Sequence, residues 1–560
     1  MGERDWGFRT RALHAGARPD PTTGARAVPI YQSTSFVFED TADAADLFAL
    51  QKYGTIYTRI SNPTTAAFEE RMASLEGGIG AVATSSGQAA EFLTAAALAA
   101  SGDNFVTSSS LYGGTHTMFD VTLGRFGIDA RFVDGDDPSA FAAAIDDRTR
   151  FLYTEVIGNP SGAVADLAAL GDVAAAHDLP LVVDGTFATP YLCRPMEHGA
   201  DIVVHSATKF IGGHGTSIGG VVVESGRFDW GSGRFPQMTE PTPAYNGLRF
   251  WENFGEFAFC TRLRAEQLRD VGASLSPFNA FLLLQGLETL PQRMDEHVAN
   301  AQRVAGFLDG HAGVDWVAYA GLPDSPYHDL AQRYMPKGPG AIFTFGVAGG
   351  REAGAAFIES LELVSHLANV GDARTLVIHP GSTTHQQLSD EDLEAGGVTP
   401  EMVRLSVGLE DVDDILWDLD QALGAARQGA STRPSMVGAS RPLPSGSTSS
   451  TRCAPSPWSA CRPTRHGPPT SWRPTSSVRP PTTRCTSSTR PPTRSSDDRA
   501  CRHWRTCRWC RTSSTCSDGS TACPAWPRSR SPSGRRPSGP SSGSGAPRPP
   551  ALHSTAGWTW

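Results

Sequence analysis

The chain has 560 residues, 39% hydrophobic and 19% charged, with a net charge of −10, too long for one core at roughly 100–200 residues per domain. That charge joins two unlike parts: residues 1–430 hold 28 basic against 55 acidic groups, a net of −27, while residues 431–560 hold 20 Arg, no Lys and three acids, a net of +17. An acidic body excludes nucleic acid as its partner, and two body cysteines, Cys193 and Cys260, exclude a disulfide framework. No apolar run approaches the ~20 residues that span a bilayer, and Met1-Gly-Glu-Arg-Asp-Trp6 lacks the apolar region of a secretory signal. The expectation is a soluble, cytoplasmic globular protein with no membrane partner.

Residues 1–62 show little periodicity and read as an irregular arm. A helix starts at Asn62-Pro63, a good cap followed by a proline in the first turn, and Gly77-Gly78 ends it. From about 80 to 225, small-residue helices alternate with short apolar runs at 103–106, 151–156, 181–183, 202–204 and 221–223. Such runs, bounded by Gly, Asn or Asp, predict strands buried on both faces in a mostly parallel α/β sheet. Residues 245–310 read as amphipathic helices, including 257–271, which Gly272 can end. Strands at 341–347 and 404–407 and a last helix at 412–427 predict a second, smaller α+β domain. The predicted organisation is an arm at 1–62, an α/β domain at 63–265, an α+β domain at 266–428, and a separate stretch at 429–560.

The stretch His205-Ser-Ala-Thr-Lys-Phe-Ile-Gly-Gly-His-Gly-Thr216 carries the most chemistry. Lys209, one of three lysines in the chain, follows a buried strand and precedes glycines. There it can lose water, acquire a lowered pKa and form a Schiff base; the alternative is a surface lysine beside a glycine turn. Ser206 and Thr208 set hydroxyls beside it, as a phosphate requires. A nucleotide phosphate loop is excluded, because there the lysine follows the glycines. Asp184, at a strand end, can pair with a protonated pyridine nitrogen or merely serve the turn before Gly185. Ser85-Ser-Gly-Gln-Ala-Ala90 opens a helix whose N–H groups, near Gly87 and Gln88, can hold a phosphate or simply form a cap. Tyr112, before Gly113-Gly114, can stack on a flat ring or stay a half-buried loop residue. In 403–409 the apolar residues alternate, so Arg404 faces the other way, toward a carboxylate or into a rim salt bridge with Glu410. His205, His214 and His379 have no metal-ligand spacing around them, and structural roles are expected. Cys507-Arg-Trp-Cys510 lacks the second pair that a zinc site needs. No metal is expected.

On these motifs, and on Tyr57-Thr-Arg-Ile-Ser-Asn-Pro-Thr64, the sequence resembles the Cys/Met-metabolism family of pyridoxal-phosphate enzymes of fold type I, and within it the O-acetylhomoserine sulfhydrylases. The resemblance covers nearly all of residues 7–428. It implies pyridoxal 5'-phosphate joined to Lys209, which later moves protons, with Tyr112 and Tyr57 as further catalytic residues that assist. Asp184 is implied at the ring nitrogen, Tyr112 on the ring face and Asn159 near the ring's phenolic oxygen. Gly87, Gln88, Ser206 and Thr208 are implied at the phosphate. Tyr57 and Arg59 are similar to a pair that reaches the phosphate of a neighbouring subunit, which implies a homo-oligomer with shared sites, normally a homotetramer. Arg404 and Ser365 match the substrate-carboxylate clamp. The implied reaction is γ-replacement, O-acetyl-L-homoserine plus sulfide giving L-homocysteine plus acetate, a step of methionine biosynthesis. Cystathionine γ-synthase and methionine γ-lyase are the alternatives; the lyases usually carry Cys where this chain has Gly114. A non-catalytic partner on the same fold is expected to have lost Lys209 or Arg404, and both are present.

The stretch after 430 holds 21 of the 41 prolines and 8 of the 10 cysteines, and it has no Phe, Tyr or Ile. It cannot build a core. A disordered basic appendage is one reading; its composition better matches a GC-rich gene translated out of frame.

Overall fold

The computed structural model describes residues 6–133, 137–380, 383 and 398–432. The basic stretch from residue 433 onward, with the Cys507 and Cys510 pair, lies outside them. The arm differs from the irregular segment predicted, because helices α1 (Phe8–His14) and α2 (Thr41–Phe48) form within it. Each buries a single residue, Ala12 and Leu47, so neither writes an apolar stripe into the sequence. Asp40 caps α2, accepting the N–H groups of Ala42 and Asp43 at 2.8 Å each.

Helix α3 (Pro63–Glu76) begins and ends where the sequence places it. Asn62 Oδ1 accepts the Thr64 N–H at 2.9 Å, and Gly77 adopts φ +81° to close the last turn. The Asn62 amide also donates to the Tyr31 carbonyl at 2.8 Å, fastening the arm to the helix start. Replacing Asn62 with Ala removes both bonds, and the cap alone is worth about 1–2 kcal/mol. A lower urea midpoint with an unchanged slope is the expected result.

Seven strands form the central sheet: β1 (Gly80–Thr84), β2 (Asn104–Ser108), β3 (Asp129–Val133), β4 (Thr149–Glu155), β5 (Leu181–Asp184), β6 (Ile202–His205) and β7 (Gly220–Glu224), in the order β1-β7-β6-β5-β4-β2-β3. The sheet is mostly parallel as predicted, with one reversal: β7 runs antiparallel to both β1 and β6. Helix α4 (Gly87–Leu98) follows β1, and the short α5 (Gly113–Thr117) follows β2. Because β4, β5 and β6 are parallel, with Glu155 opposite Asp184 and Asp184 opposite Val204, the C-terminal ends of these strands share one edge. Ligands of open α/β sheets bind at that edge.

The 257–271 helix is continuous but locally widened, with a π-helical turn at Leu263–Leu268, and Gly272 ends it at φ +80°. Beyond Pro277–Glu288 and Leu290–Asp309 comes the second sheet: β8 (Val314–Ala318), β9 (Ile342–Val347), β10 (Ser365–His366), β11 (Leu376–Ile378) and β12 (Met402–Ser406), in the order β10-β11-β12-β9-β8. Val403, Leu405 and Val407 are buried and Arg404 is partly exposed, but the alternation predicted is incomplete, because Met402 and Ser406 on the face of Arg404 are buried too and Leu409 is only half-buried. The described residues belong to one compact unit. Among them no helix is long and apolar enough to cross a membrane.

Candidate active site

β6 ends at His205 and the chain turns at once, so Lys209 projects from a loop at the C-terminal edge of the sheet. The Lys209 N–H donates to Ser206 O at 3.2 Å, and the Gly213 N–H donates to Lys209 O at 2.7 Å. Arg293, from the helix Leu290–Asp309, satisfies the next carbonyls, donating to Phe210 O at 2.7 Å and Ile211 O at 3.2 Å. A second segment closes over the loop. Gly371 sits at φ +73°, and a Cβ there would lie 2.7 Å from the Phe210 nitrogen, so only glycine permits this approach. The approach sets Asn369 beside the lysine, whose Nζ donates to Asn369 Oδ1 at 2.5 Å. Burial, and after it the positive charge of Arg404, lower the Lys209 ammonium to about 8. Such an amine is neutral in roughly a tenth of molecules at pH 7, against a negligible fraction for an ordinary lysine.

Arg404 arrives from β12 and donates through Nη1 to Asn159 Oδ1 at 3.2 Å. Burial lowers its own pKa. Glu410, the alternative partner, is used elsewhere: its oxygens accept the Thr375 N–H at 2.7 Å and the Thr375 hydroxyl at 2.8 Å. A half-buried guanidinium with one amide contact keeps donors for a carboxylate.

Asp184 ends β5, and its Oδ1 accepts the Thr186 N–H at 2.6 Å. The Thr186 hydroxyl in turn accepts the Ser206 N–H at 2.8 Å, tying the carboxylate to the lysine loop. Tyr112 stands before α5 with its N–H on Glu155 Oε1 at 2.7 Å, and the residue is 49% exposed. Ser86 caps α4 by accepting the Ala89 N–H at 3.1 Å. Gly87 follows, and a Cβ there would fall 2.6 Å from Ser206 Cβ and 2.9 Å from Ser206 Cα. The helix start and the Ser206 backbone are therefore pressed together, while Thr208 Oγ1 exchanges bonds with Gly219, donating to its O at 3.2 Å and accepting its N–H at 3.1 Å. Replacing Gly87 with Ala must push these apart at about 1–3 kcal/mol. Fluorescence titration should then show roughly a 5- to 100-fold weaker Kd for pyridoxal phosphate.

An amine of lowered pKa, a buried carboxylate at a strand end, a helix start without room for a side chain and a half-exposed aromatic ring fit pyridoxal phosphate. These groups could hold its aldehyde, ring nitrogen, phosphate and flat face. Gln88 turns its amide inward, donating to Glu91 Oε2 at 3.1 Å. Ser365 lies on β10, two strands from Arg404 in the same sheet. Arg59 donates to the Arg269 carbonyl and its guanidinium lies 5.5 Å from the centre of the ring of Tyr57, a residue 41% exposed. Each of the three histidines near the motifs is bonded within the protein. His205 Nε2 meets Glu76 Oε1 at 2.5 Å in the core, His214 Nδ1 meets Gly212 O at 2.6 Å, and His379 Nε2 meets Pro400 O at 2.8 Å. Among the described residues no group of three metal-ligating side chains occurs. Sequence reasoning missed Glu91, Glu155, Arg293 and the side chain of Asn369. Glu91 and Arg293 were visible as lone charges on apolar helix faces.

The model of the Cys/Met metabolism PLP-dependent enzymes matches residues 9–424. The chain belongs to this family. It is thus a pyridoxal-phosphate-dependent enzyme of fold type I, and the family match stops before the change of composition near residue 430. Among its relatives, the O-acetyl-L-homoserine sulfhydrylase of Leptospira meyeri is 52% identical over 429 residues, covering 75% of this chain and 97% of that protein. The O-acetyl-L-homoserine sulfhydrylase 1 of Thermus thermophilus is 51% identical over 418 residues, 74% of this chain and 99% of its own. The homocysteine synthase of Schizosaccharomyces pombe is 52% identical over 422 residues, 75% and 98%. A Campylobacter jejuni crystal structure assigned as an O-acetylhomoserine (thiol)-lyase carries N'-pyridoxyl-lysine-5'-monophosphate; it is 40% identical, superposes with a TM-score of 0.72, and the match covers 75% of this chain and all of that one.

Proposed function

We propose that the chain catalyses γ-replacement on O-acetyl-L-homoserine, with sulfide as the nucleophile, giving L-homocysteine and acetate. The observation that carries the reading is that Gly371 packs against the Lys209 backbone while its N–H donates to Ser406 Oγ at 2.9 Å, which brings the lysine loop after β6 together with β12, the strand of Arg404. Lys209 suits proton transfer at an amino acid's Cα and Arg404 suits its carboxylate. The names of the relatives, O-acetylhomoserine sulfhydrylases and a homocysteine synthase, favour the same substrate and product.

Bound pyridoxal phosphate supplies the electron sink for charge that develops next to the substrate's amine. In this reading Lys209 holds the cofactor, yields its place to the substrate amine, and then takes and returns protons along the substrate's carbon chain. Arg404 orients the substrate carboxylate, with Asn159 steadying the guanidinium and Ser365 assisting. Asp184 keeps the ring nitrogen protonated, Tyr112 covers one ring face, and Gly87, Gln88, Ser206 and Thr208 hold the phosphate. Acetate leaves from Cγ and sulfide adds there. We assign the cofactor to a domain at 63–265 and the carboxylate clamp to a domain at 266–428. In this reading Tyr57 and Arg59 complete a neighbour's site in a homotetramer. Cytoplasmic methionine biosynthesis is the corresponding setting.

Methionine γ-lyase chemistry fits less well. A Cβ at Gly114 would lie 2.5 Å from Tyr112 Cε1, so a cysteine there would displace the ring that this chain sets over its site. The deciding assay supplies the purified holoenzyme with O-acetylhomoserine and, separately, sulfide, methanethiol or cysteine. Homocysteine formed with sulfide at the highest kcat/KM is the expected product; reaction with cysteine alone would make the enzyme a cystathionine γ-synthase. Exchanging the acetyl for a succinyl group tests the leaving group in the same assay.

A further inference from the structure

Ser365 stands on β10, a two-residue strand at the edge of the second sheet, where it pairs with β11. The Ser365 N–H donates to Thr375 O and the Leu367 N–H to Val377 O, each at 3.1 Å, and so short an edge strand has little else to fix its direction. The residues just before it are gripped by a carboxylate. Asp418 is fully buried and lies on the last helix, Val412–Thr432. Its Oδ1 accepts the Glu362 N–H at 2.8 Å, and its Oδ2 accepts the Leu363 and Val364 N–H groups at 2.9 Å each. Gln421, three residues further along the helix, donates to Asp418 Oδ1 at 2.9 Å and to Ser360 O at 2.7 Å. A buried carboxylate is destabilising unless hydrogen-bonded, and successive N–H groups converging on one anion satisfy it. Burial raises the Asp418 carboxyl, but the backbone bonds outweigh it and hold the group below the usual carboxylate range.

The far end of the same segment is held separately, by the Gly371 N–H on Ser406 Oγ and by the packing of Gly371 against the Lys209 backbone. Between the two anchors lie Ser365 and Asn369, with His366, Leu367 and Ala368 exposed. The Asp418 anchor ends one residue before Ser365, and the Gly371 anchor lies two residues after Asn369. Each anchor therefore governs the side chain nearest to it. We propose that Asp418 is a positioning residue: through the N–H groups of residues 362–364, its carboxylate fixes the start of β10 so that Ser365 meets the substrate's carboxylate. The inference rests on the assignment of Ser365 to the carboxylate clamp. Arg404 enters that clamp from β12, two strands away, so Asp418 sets one jaw of the clamp against the other. The rival role is a purely structural tie between the last helix and the sheet, which would lower stability and leave the kinetics alone.

The test compares Asp418→Asn, Ser365→Ala and the double variant as holoenzymes, with O-acetylhomoserine varied at saturating sulfide. Asparagine keeps the size of the side chain but turns one accepting oxygen into a donor that faces N–H groups. In Asp418→Asn, KM should rise about 10-fold with kcat changed less than about 2-fold, the pattern of lost uniform binding. The Kd for pyridoxal phosphate should stay within about 2-fold of the parent, because the Gly371 anchor and the lysine loop are untouched. Ser365→Ala should raise KM comparably, and the double variant should add little to it, since the two residues act as one unit. A rise in Ser365→Ala but none in Asp418→Asn overturns the Asp418 inference alone. Additive rises in the double variant overturn it too, because Asp418 then acts elsewhere than through Ser365. A parallel loss of cofactor affinity in Asp418→Asn shows general loosening and likewise overturns it. A KM that Ser365→Ala leaves unchanged overturns the Ser365 assignment and the inference with it. Should Asp418→Asn not fold, Gln421→Leu removes one bond from the carboxylate and should raise KM about 3-fold in the same pattern; an unchanged KM there overturns the proposal.

Discussion

Replacing Lys209 with alanine is expected to end turnover, with a fall of roughly 10⁴-fold, the upper end of what a single proton-transferring group contributes. Borohydride reduction followed by mass spectrometry should find no cofactor attached to the variant. The fold should survive, because the loop is held by backbone bonds and by Arg293, none of which uses the Lys209 side chain. What the side chain itself loses is its bond to Asn369, worth about 1–3 kcal/mol for a charged donor. Thermal unfolding of the cofactor-free proteins measures that difference directly. Lys209→Arg separates charge from chemistry. It retains a cation, but a guanidinium does not deprotonate, so it should fail as completely as alanine. Appreciable turnover in either variant would remove Lys209 from the reaction.

The legibility of this site in the sequence depended on how far apart its parts lie along the chain. Lys209, Ser206 and Thr208 share one contiguous run after a buried strand, and the geometry there matches the reading. Strands β4, β5, β6 and β7 stood out because central strands are apolar on both faces. β3 did not: Asp129-Ala-Arg-Phe-Val133 lies at the sheet edge with no fully buried residue, so nothing required an apolar run. β1, Gly80-Ala-Val-Ala-Thr84, is buried throughout but built of small residues that resemble a helix as much as a strand. The reversal of β7 left no trace, since direction does not alter a run buried on both sides. Arg404 could be placed on a strand and a face by alternation, yet its meeting with Lys209, 195 positions earlier in the chain, is a tertiary fact that periodicity cannot supply. Glu91 and Arg293 show the opposite failure. Each is a charge on a buried helix face, where a partner is obligatory, but a sequence does not say which face of these helices is buried, so both went unread.

Arg404 joins substrate binding to the acidity of Lys209, so its variants should move two observables that can be separated. Removing the guanidinium with Arg404→Gln takes away a charge-assisted bond to the substrate carboxylate worth about 1.5–3 kcal/mol. The expected fall in kcat/KM for O-acetylhomoserine is therefore roughly 10- to 100-fold. The second observable belongs to the cofactor-free protein, in which only a neutral amine can capture pyridoxal phosphate. Its capture rate should rise with pH through about 8, the value to which burial and Arg404 lower Lys209. A nearby cation disfavours the ammonium, so losing it favours the ammonium, and the midpoint in Arg404→Gln must move to higher pH. Capture at neutral pH slows accordingly. Arg404→Lys distinguishes the two roles: an ammonium restores the charge but not the planar fork that grips a carboxylate. It should keep the capture midpoint near that of the parent while still losing most of the kcat/KM. Equal midpoint shifts in the Gln and Lys variants would show that the Arg404 charge does not set the acidity of Lys209, leaving burial as the sole cause.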